Sequence, residues 1–435
     1  MNNNTPIANS QRPIADTSTA NSQQPRAIMV FGVGELQRSI IQRAHGMGLY
    51  VVGIDPCSDA TAKAECDAFE VVGGQDYEGT VAVAKKYNVS AIVTAATDKP
   101  LVMMARVAKT LNLPFYSEET AVWSTDKYQM KGRFMEGGVP CAQGRLLTKD
   151  QLLAFSHSLL AANSQQPTAN STGMQFPLIC KPRDNSGSRG VKLCRNLQEL
   201  QECIDEALQY SKLDTVLVEE FIEGREFSIE SLHYDGKSEV IQFTEKKTTE
   251  FPYNVELGHK QPANLTDDQR DAIREIVSKI GFALRFENCP SHTELKVNDR
   301  GIFVIETSPR LGGDYITSTL TPLSTGINLE EQLLHIALGE KVDTTTGRVE
   351  KASGVCFFSY PEGEVKAIAP EISEVASLPH IHNFELKLKV EDHINQITSS
   401  LNRYGQFIVD GETREEVDEL IEKYENMIKQ YIKIQ

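Results

Sequence analysis

No apolar run in this 435-residue chain reaches the ~18 residues that a membrane helix needs, so a membrane-embedded protein is not expected. An excess of positive charge is also missing. Lys+Arg 44 against Asp+Glu 60 gives a net charge of −16, which argues against general binding to nucleic acid or to an anionic membrane. The N-terminus has no charged segment followed by an apolar core, so no secretory signal is visible. The eight cysteines contain no C-x-x-C pair. Reduced thiols in a cytoplasmic protein are expected rather than a zinc site or a disulfide framework. Two nucleotide signatures are incomplete as well. The small-residue loop Asn185 to Gly190 lacks the Gly-Lys-Ser/Thr of a Walker A loop, and no helix follows it directly. Gly32-Val-Gly34, with Asp55 about twenty residues on, is similar to a dinucleotide fingerprint, but Gln37 stands where the third glycine would pack helix against strand. A tight turn without cofactor is the better account, and an NAD-dependent oxidoreductase is kept as a remote alternative.

What is present is the composition of a globular protein, 40% hydrophobic and 24% charged, long enough for two to four domains. Residues 1–26 are polar and nearly free of large apolar groups, and a disordered tail is expected there. Its hexamer Ala20-Asn-Ser-Gln-Gln-Pro25 recurs at 162–167, which marks 162–174 as an inserted low-complexity loop. Short apolar runs alternate with helical runs over 27–122, the pattern of a small doubly wound domain on a parallel sheet. From Phe176 the chain changes to strands joined by hairpin turns, with helices at 197–210 and 267–280. Residues 346–435 read as an α+β segment that ends in an amphipathic helix at 415–432.

Three blocks carry chemistry. The first is Ser291 to Asp314. It places Glu294 and Glu306 at like phase on two strands joined by a polar turn, with Arg310 four residues later. Two adjacent carboxylates repel unless a cation lies between them, and an oxygen-only donor set favours Mg²⁺. Alone, this block stands evenly between a metal site and a solvated hairpin. The second block ends a strand in Lys181 and continues through the small-residue loop Asn185-Ser-Gly-Ser-Arg-Gly190. Backbone amides of such a loop, with one lysine, suit phosphate better than a plain turn does. The third, Val216 to Glu230, runs from an apolar strand through a linker into another strand. A linker of this kind can hydrogen-bond an adenine edge.

In this order and spacing, over roughly residues 27–345, the three blocks resemble the ATP-grasp superfamily. The resemblance implies a nucleotide held between two α+β subdomains. It assigns 27–122 to the N-terminal αβ domain, 123–345 to the ATP-grasp domain with a mobile lid subdomain at about 135–222, and 346–435 to a C-terminal α+β domain. ATP-binding roles fall on Lys127, Lys181, Ser186, Gly187, Ser188, Gly190, Glu219, Glu220, Phe221, Ile222 and Glu226. The metal ligands would be Glu294 and Glu306, with two Mg²⁺ ions expected and Mn²⁺ as a substitute. Arg310 and Lys181 would be catalytic. The pattern departs at Ser308, where the superfamily usually has asparagine, and a serine hydroxyl is the weaker ligand.

Looser matches are similar to L-amino-acid ligases. His259, in Phe251 to Ala263, and Arg310, Gly312 and Gly313 would face the substrates. The implied activity is ATP-dependent joining of a carboxylate to an amine through an acyl phosphate, releasing ADP and phosphate, with amino acids as substrates. The first alternative is a formate- or bicarbonate-using transformylase or carboxylase of a phosphoribosyl amine, for which Arg183, Lys246 and Lys247 would have to bind the sugar phosphate. Small-molecule partners, a cytoplasmic location and, by analogy alone, a homodimer complete the expectation.

Overall fold

The computed structural model describes residues 25–151, 155, 174–184 and 189–435. Residues 1–24 of the expected tail, 162–173 of the expected insertion, and Ser186, Gly187 and Ser188 lie outside the described residues.

The chain begins with β1 (Ala27–Phe31), β2 (Tyr50–Asp55), β3 (Ala68–Val71) and β4 (Val89–Val93), a parallel sheet in the order β3-β2-β1-β4. Every residue of β1 is buried, as expected of a parallel strand covered on both faces. Ile28 and Val30 pack with Ile40 and Ile41 on one side, and Met29 and Phe31 pack with Leu101 and Met104 on the other. The turn after β1 is closed by its own side chains. Val33 N–H donates to Asp55 Oδ2 at 2.9 Å, and Gln37 accepts from Gly34 N–H at 3.1 Å while donating to Ala95 O at 2.6 Å. Gln37 thus occupies the corner that a third glycine would leave open.

A small antiparallel sheet follows, β5 (Gly144–Leu147), β6 (Leu178–Pro182), β7 (Lys192–Cys194) and β8 (Val216–Glu220), in the order β5-β8-β6-β7. The helix Leu197–Ala207 covers it, with Leu200, Cys203 and Ile204 packed on Leu178, Cys180 and Val218.

The main platform is an eight-stranded antiparallel sheet. It uses β9 (Arg225–Tyr234), β10 (Lys237–Thr248), β11 (Glu256–Gln261), β12 (Cys289–Asn298), β13 (Gly301–Ser308) and β14 (Ala352–Phe357). After β15 (Gly363–Ile368) come β16 (Ile381–Leu386), β17 (His393–Ile394), β18 (Gly405–Gly411) and β19 (Ile432–Ile434). The order is β13-β12-β9-β10-β11-β14-β18-β16. Strand alternation splits β9 cleanly. Phe227 and Ile229 enter a core with Ile273 and Val277 of the helix Asp267–Leu284, while Glu226, Ser228 and Glu230 take the other face. The segment expected as a C-terminal α+β domain joins this sheet edge to edge. β14 pairs with β11 from Gly258↔Cys356 to Gln261↔Ser353, so hydrogen bonding runs straight across the expected boundary at 345.

Candidate nucleotide and substrate site

The polar face of the large sheet and the end of the small sheet enclose a cavity of about 340 Å³. Its walls include Lys127, Lys181, Glu219, Glu226, Lys246, His259, Glu294, Glu306 and Arg310. Glu220, Phe221, Ile222 and Gly313 line it too. Ser308 and Gly312 are not among the lining residues, and Gly190 is close by, beside Arg189 and Val191, which are.

The two carboxylates of the hairpin meet as the spacing implies. Glu294 on β12 is the direct register partner of Glu306 on β13, next to a bulge between Glu294 and Leu295. Each is held by a lysine from elsewhere. Lys127 Nζ lies 2.6 Å from Glu306 Oε2, and Lys246 Nζ lies 3.1 Å from Glu294 Oε2. The ammonium groups stand where oxygen donors of this kind would bind a divalent cation, so the donor set fits Mg²⁺. Burial opposes charge on Lys127, but Glu306, Asp98 and Glu294 outweigh it and hold its pKa above the usual lysine value. Burial likewise works against Glu294, yet Lys246 and His292 keep its carboxyl well below the ordinary range.

A second lysine cluster sits around Glu219. Lys131 lies 2.7 Å from Glu219 Oε1 and Lys181 2.6 Å from Oε2, all three side chains nearly inaccessible. Two cations on one carboxylate leave an excess of buried positive charge. Burial pushes Lys131 down to about 8. Burial, with Lys131 and Lys127 alongside, holds Lys181 well below its usual value. A phosphate group entering the cavity would supply the missing negative charge. Asp126 brings the parts together. It caps the helix Lys127–Glu136, accepting from Tyr128 N–H and Gln129 N–H, and takes a paired hydrogen bond from Arg183 just past β6. Lys127 and Lys181 are thereby fixed at adjacent element ends.

Across β9 and β12 the polar residues alternate in sign. His292 is opposite Glu230, with Nδ1 2.6 Å from Glu230 Oε1, and Lys296 is opposite Glu226 at 3.7 Å. Burial disfavours the charged imidazole, but Glu230 and Glu294 raise His292 to about 9. Lys246 contacts Glu226 at 2.8 Å and Glu256 at 3.4 Å besides Glu294. Sequence reasoning gave Lys246 only to an alternative sugar-phosphate role, and missed Lys131, Asp98, Glu230 and His292. For Lys131 there was a signal, since it lies one helical turn after Lys127.

Arg310 is positioned by the N-terminal domain. Its Nε donates to Asp98 Oδ1 at 3.0 Å, and Ser308 Oγ donates to the same oxygen at 2.5 Å. The serine that replaces the usual asparagine therefore ties the arginine's partner in place. Among the described residues no group of three or more His, Cys, Asp or Glu side chains is arranged to hold a metal by itself. The two glutamates would need further oxygens from substrate or water.

In this fold paired glutamates and lysines face one cavity. Residues 174–318 match the ATP-grasp domain, and residues 356–433 match the L-amino acid ligase C-terminal domain 2. The chain therefore combines an ATP-grasp domain with a C-terminal domain of the L-amino acid ligase type. It is similar to alanine–anticapsin ligase of Bacillus amyloliquefaciens, 26% identical over 298 residues, covering 63% of this chain and 59% of that protein. The structure of L-amino acid ligase from Bacillus licheniformis superposes with a TM-score of 0.75 at 20% identity, covering 95% of this chain and 99% of that one. Phosphoribosylglycinamide synthetase from Anaerococcus prevotii gives 0.70 at 22% identity, covering 94% and 99%. The chain spans 59–66% of the length of the first curated relatives it matches. Among the described residues no helix is long and apolar enough to cross a membrane.

Proposed function

We propose that this protein joins a carboxylate to an amine at the expense of ATP, with amino acids as substrates, through an acyl phosphate. The observation that carries the reading is the in-register pair Glu294 and Glu306 facing the same cavity as Lys127, Lys181 and Arg310. A carboxylate does not react usefully with an amine at neutral pH, because oxide or hydroxide would have to leave. Transfer of the γ-phosphoryl group to the carboxylate oxygen gives a leaving group that is stable as phosphate. The amine then forms the C–N bond as the C–O bond to phosphate breaks. Positioning and charge neutralisation are the protein's part.

Lys127 and Lys181 balance the phosphate chain, with Lys131 behind them. The backbone of Glu219 to Ile222 offers hydrogen bonds to the adenine edge, and Glu226 faces the ribose. Glu294 and Glu306 would hold Mg²⁺, which supplies charge neutralisation between the phosphates. Arg310, set by Asp98, stabilises the transferring phosphoryl group. Eight free cysteines suit a reducing compartment, which supports a cytoplasmic enzyme.

The phosphoribosyl amine alternative needs free basic side chains for a sugar phosphate. Lys246 is taken up by three carboxylates and Arg183 by Asp126, and Lys247 is exposed and not among the residues lining the cavity, which favours the ligase. The test is phosphate release from ATP and Mg²⁺ with pairs of amino acids. Release that needs two amino acids together is expected. A blank across all pairs, with release on adding formate and a phosphoribosyl amine, would reverse the choice. Arg310→Ala is expected to lower turnover by about 10²–10³-fold in protein that is still folded, although losing the partner of Asp98 will also lower its melting point. Near-normal turnover of that variant would remove Arg310 from the chemistry.

A further inference from the structure

A second cavity, of about 20 Å³, is bounded by the end of β4 and the start of β12. Its walls are mostly apolar, with Leu101 and Met104 from the helix Leu101–Leu111 and Leu333 and Ala337 from the helix Leu329–Ala337. Among the described residues Arg310 alone lines both this chamber and the large cavity. The arginine assigned to the transferring phosphoryl group therefore also borders a separate small space.

Three polar side chains line this chamber. Tyr116 is 5% exposed, and its hydroxyl oxygen is buried without a hydrogen-bond partner among the described residues. Leaving such a hydroxyl unpaired is costly and uncommon in a native interior. Burial, with Cys289 and Asp98 nearby, holds the phenol well above its usual value, so it stays neutral and can both donate and accept. Thr94, just past β4, spends its hydroxyl proton on Phe31 O at 2.7 Å and keeps its lone pairs for accepting. Arg310 uses one N–H on Asp98 Oδ1 at 3.0 Å and one on Leu311 O at 3.1 Å. A guanidinium has about five N–H groups, so donors remain.

A chamber of this size takes a single water, which needs about 10–15 Å³ and roughly two to four polar partners. One acceptor, one hydroxyl with both capacities and one charged donor make up such a set. We propose that an internal water occupies the chamber and joins the Tyr116 hydroxyl to the Arg310 guanidinium, so that Tyr116 is a positioning residue for phosphoryl transfer. Asp98 fixes one edge of the planar guanidinium, and the water-linked tyrosine fixes its tilt from the second cavity. Such control matters because a misplacement of about 1 Å can cost about 10²-fold in rate. Asp98, Thr94 and Tyr116 all precede the helix Lys127–Glu136, so the N-terminal domain sets the arginine from two sides. The inference rests on the ligase reading for the role of Arg310.

Tyr116→Phe removes one oxygen and leaves the ring. If the hydroxyl only fills space, kcat should not respond. The expected outcome is a kcat for amino-acid-dependent phosphate release lowered by about 3- to 10-fold, with KM for ATP and the urea midpoint nearly unchanged. In an Arg310→Ala background the same change should cost nothing further, because the tyrosine acts through the arginine. An unchanged kcat, or an equal loss in both backgrounds, overturns the proposal and leaves the ligase reading intact. Ala337→Val, which fills the chamber and keeps the tyrosine, is expected to lower kcat in the same way, and it decides the matter should Tyr116→Phe fail to fold. A crystal structure of the wild-type protein gives a readout independent of the reaction. Solvent density bridging Tyr116 Oη and Arg310 is expected, and an empty chamber overturns the proposal. No phosphate release from wild type with any pair of amino acids overturns the ligase reading and, with it, the kinetic half of the proposal.

Discussion

Glu219 shows how much of this site is decided by residues that a linear reading cannot connect. In sequence it is the first acid after an apolar run and reads as the start of an adenine linker. In the structure its side chain is the shared counter-ion of Lys131 and Lys181, from a helix and from another strand. Glu294, Glu306 and Lys181 could be placed on a face because each sits on a strand, whose period of two assigns it, and Arg310 follows just past the end of β13. Asp98, Lys131 and Lys246 were not legible, because their roles arise only where the N-terminal domain, a helix and a neighbouring strand close around one cavity. Removing one partner of a buried ion pair leaves an uncompensated charge, at a cost of about 3–5 kcal/mol. Glu219→Ala is therefore expected to lose stability of that size in urea unfolding. Lys181→Met placed in the same background should return part of it, because the two changes share one network. A loss below about 1 kcal/mol, or strict additivity, would show that water already screens the cluster.

At the scale of elements, alternation was the reliable signal. The run Glu226-Phe-Ser-Ile-Glu230 announces one polar and one apolar face, and the structure puts the cavity on the first and the helix Asp267–Leu284 under the second. Strand order was illegible. Nothing local says that β11 pairs with β14, almost a hundred residues later. Gly354 marks the junction. A Cβ there would stand 2.8 Å from Ile421 Cδ1 and 3.1 Å from Val417 Cγ1, both on the helix Arg414–Tyr431 that covers β14 and β18. Overpacking of that kind costs about 1–3 kcal/mol. Gly354→Val should lower stability by this amount. Because one hydrogen-bonded sheet spans the junction, fluorescence and circular dichroism should still report a single coincident transition. Two transitions, with the C-terminal segment melting first, would mean that the shared edge adds little cooperativity.

Across the whole molecule the charge distribution opposes the site. The chain carries a net −16, yet Lys127, Lys131, Lys181, Lys246 and Arg310 are drawn into one largely buried region. Concentrating cations there is costly without an anion, and the depressed pKa values of Lys131 and Lys181 report that cost. The glutamates on the hairpin are held meanwhile by Lys127 and Lys246. A nucleotide would take up the lysines and a divalent cation the glutamates, so their effects on stability should be interdependent. A ligand at a hundred times its Kd adds about 2.7 kcal/mol to a folded protein that alone binds it. ADP with Mg²⁺ is expected to raise Tm by several degrees, and ADP with EDTA by clearly less. Glu306→Gln, which keeps the shape but halves the carboxylate pair's charge, should abolish most of the Mg²⁺-dependent increment while leaving the increment from ADP alone. Equal shifts with and without Mg²⁺ in the wild type would mean that the lysines bind the phosphates unaided. The in-register glutamates would then have to be explained by their lysine partners alone.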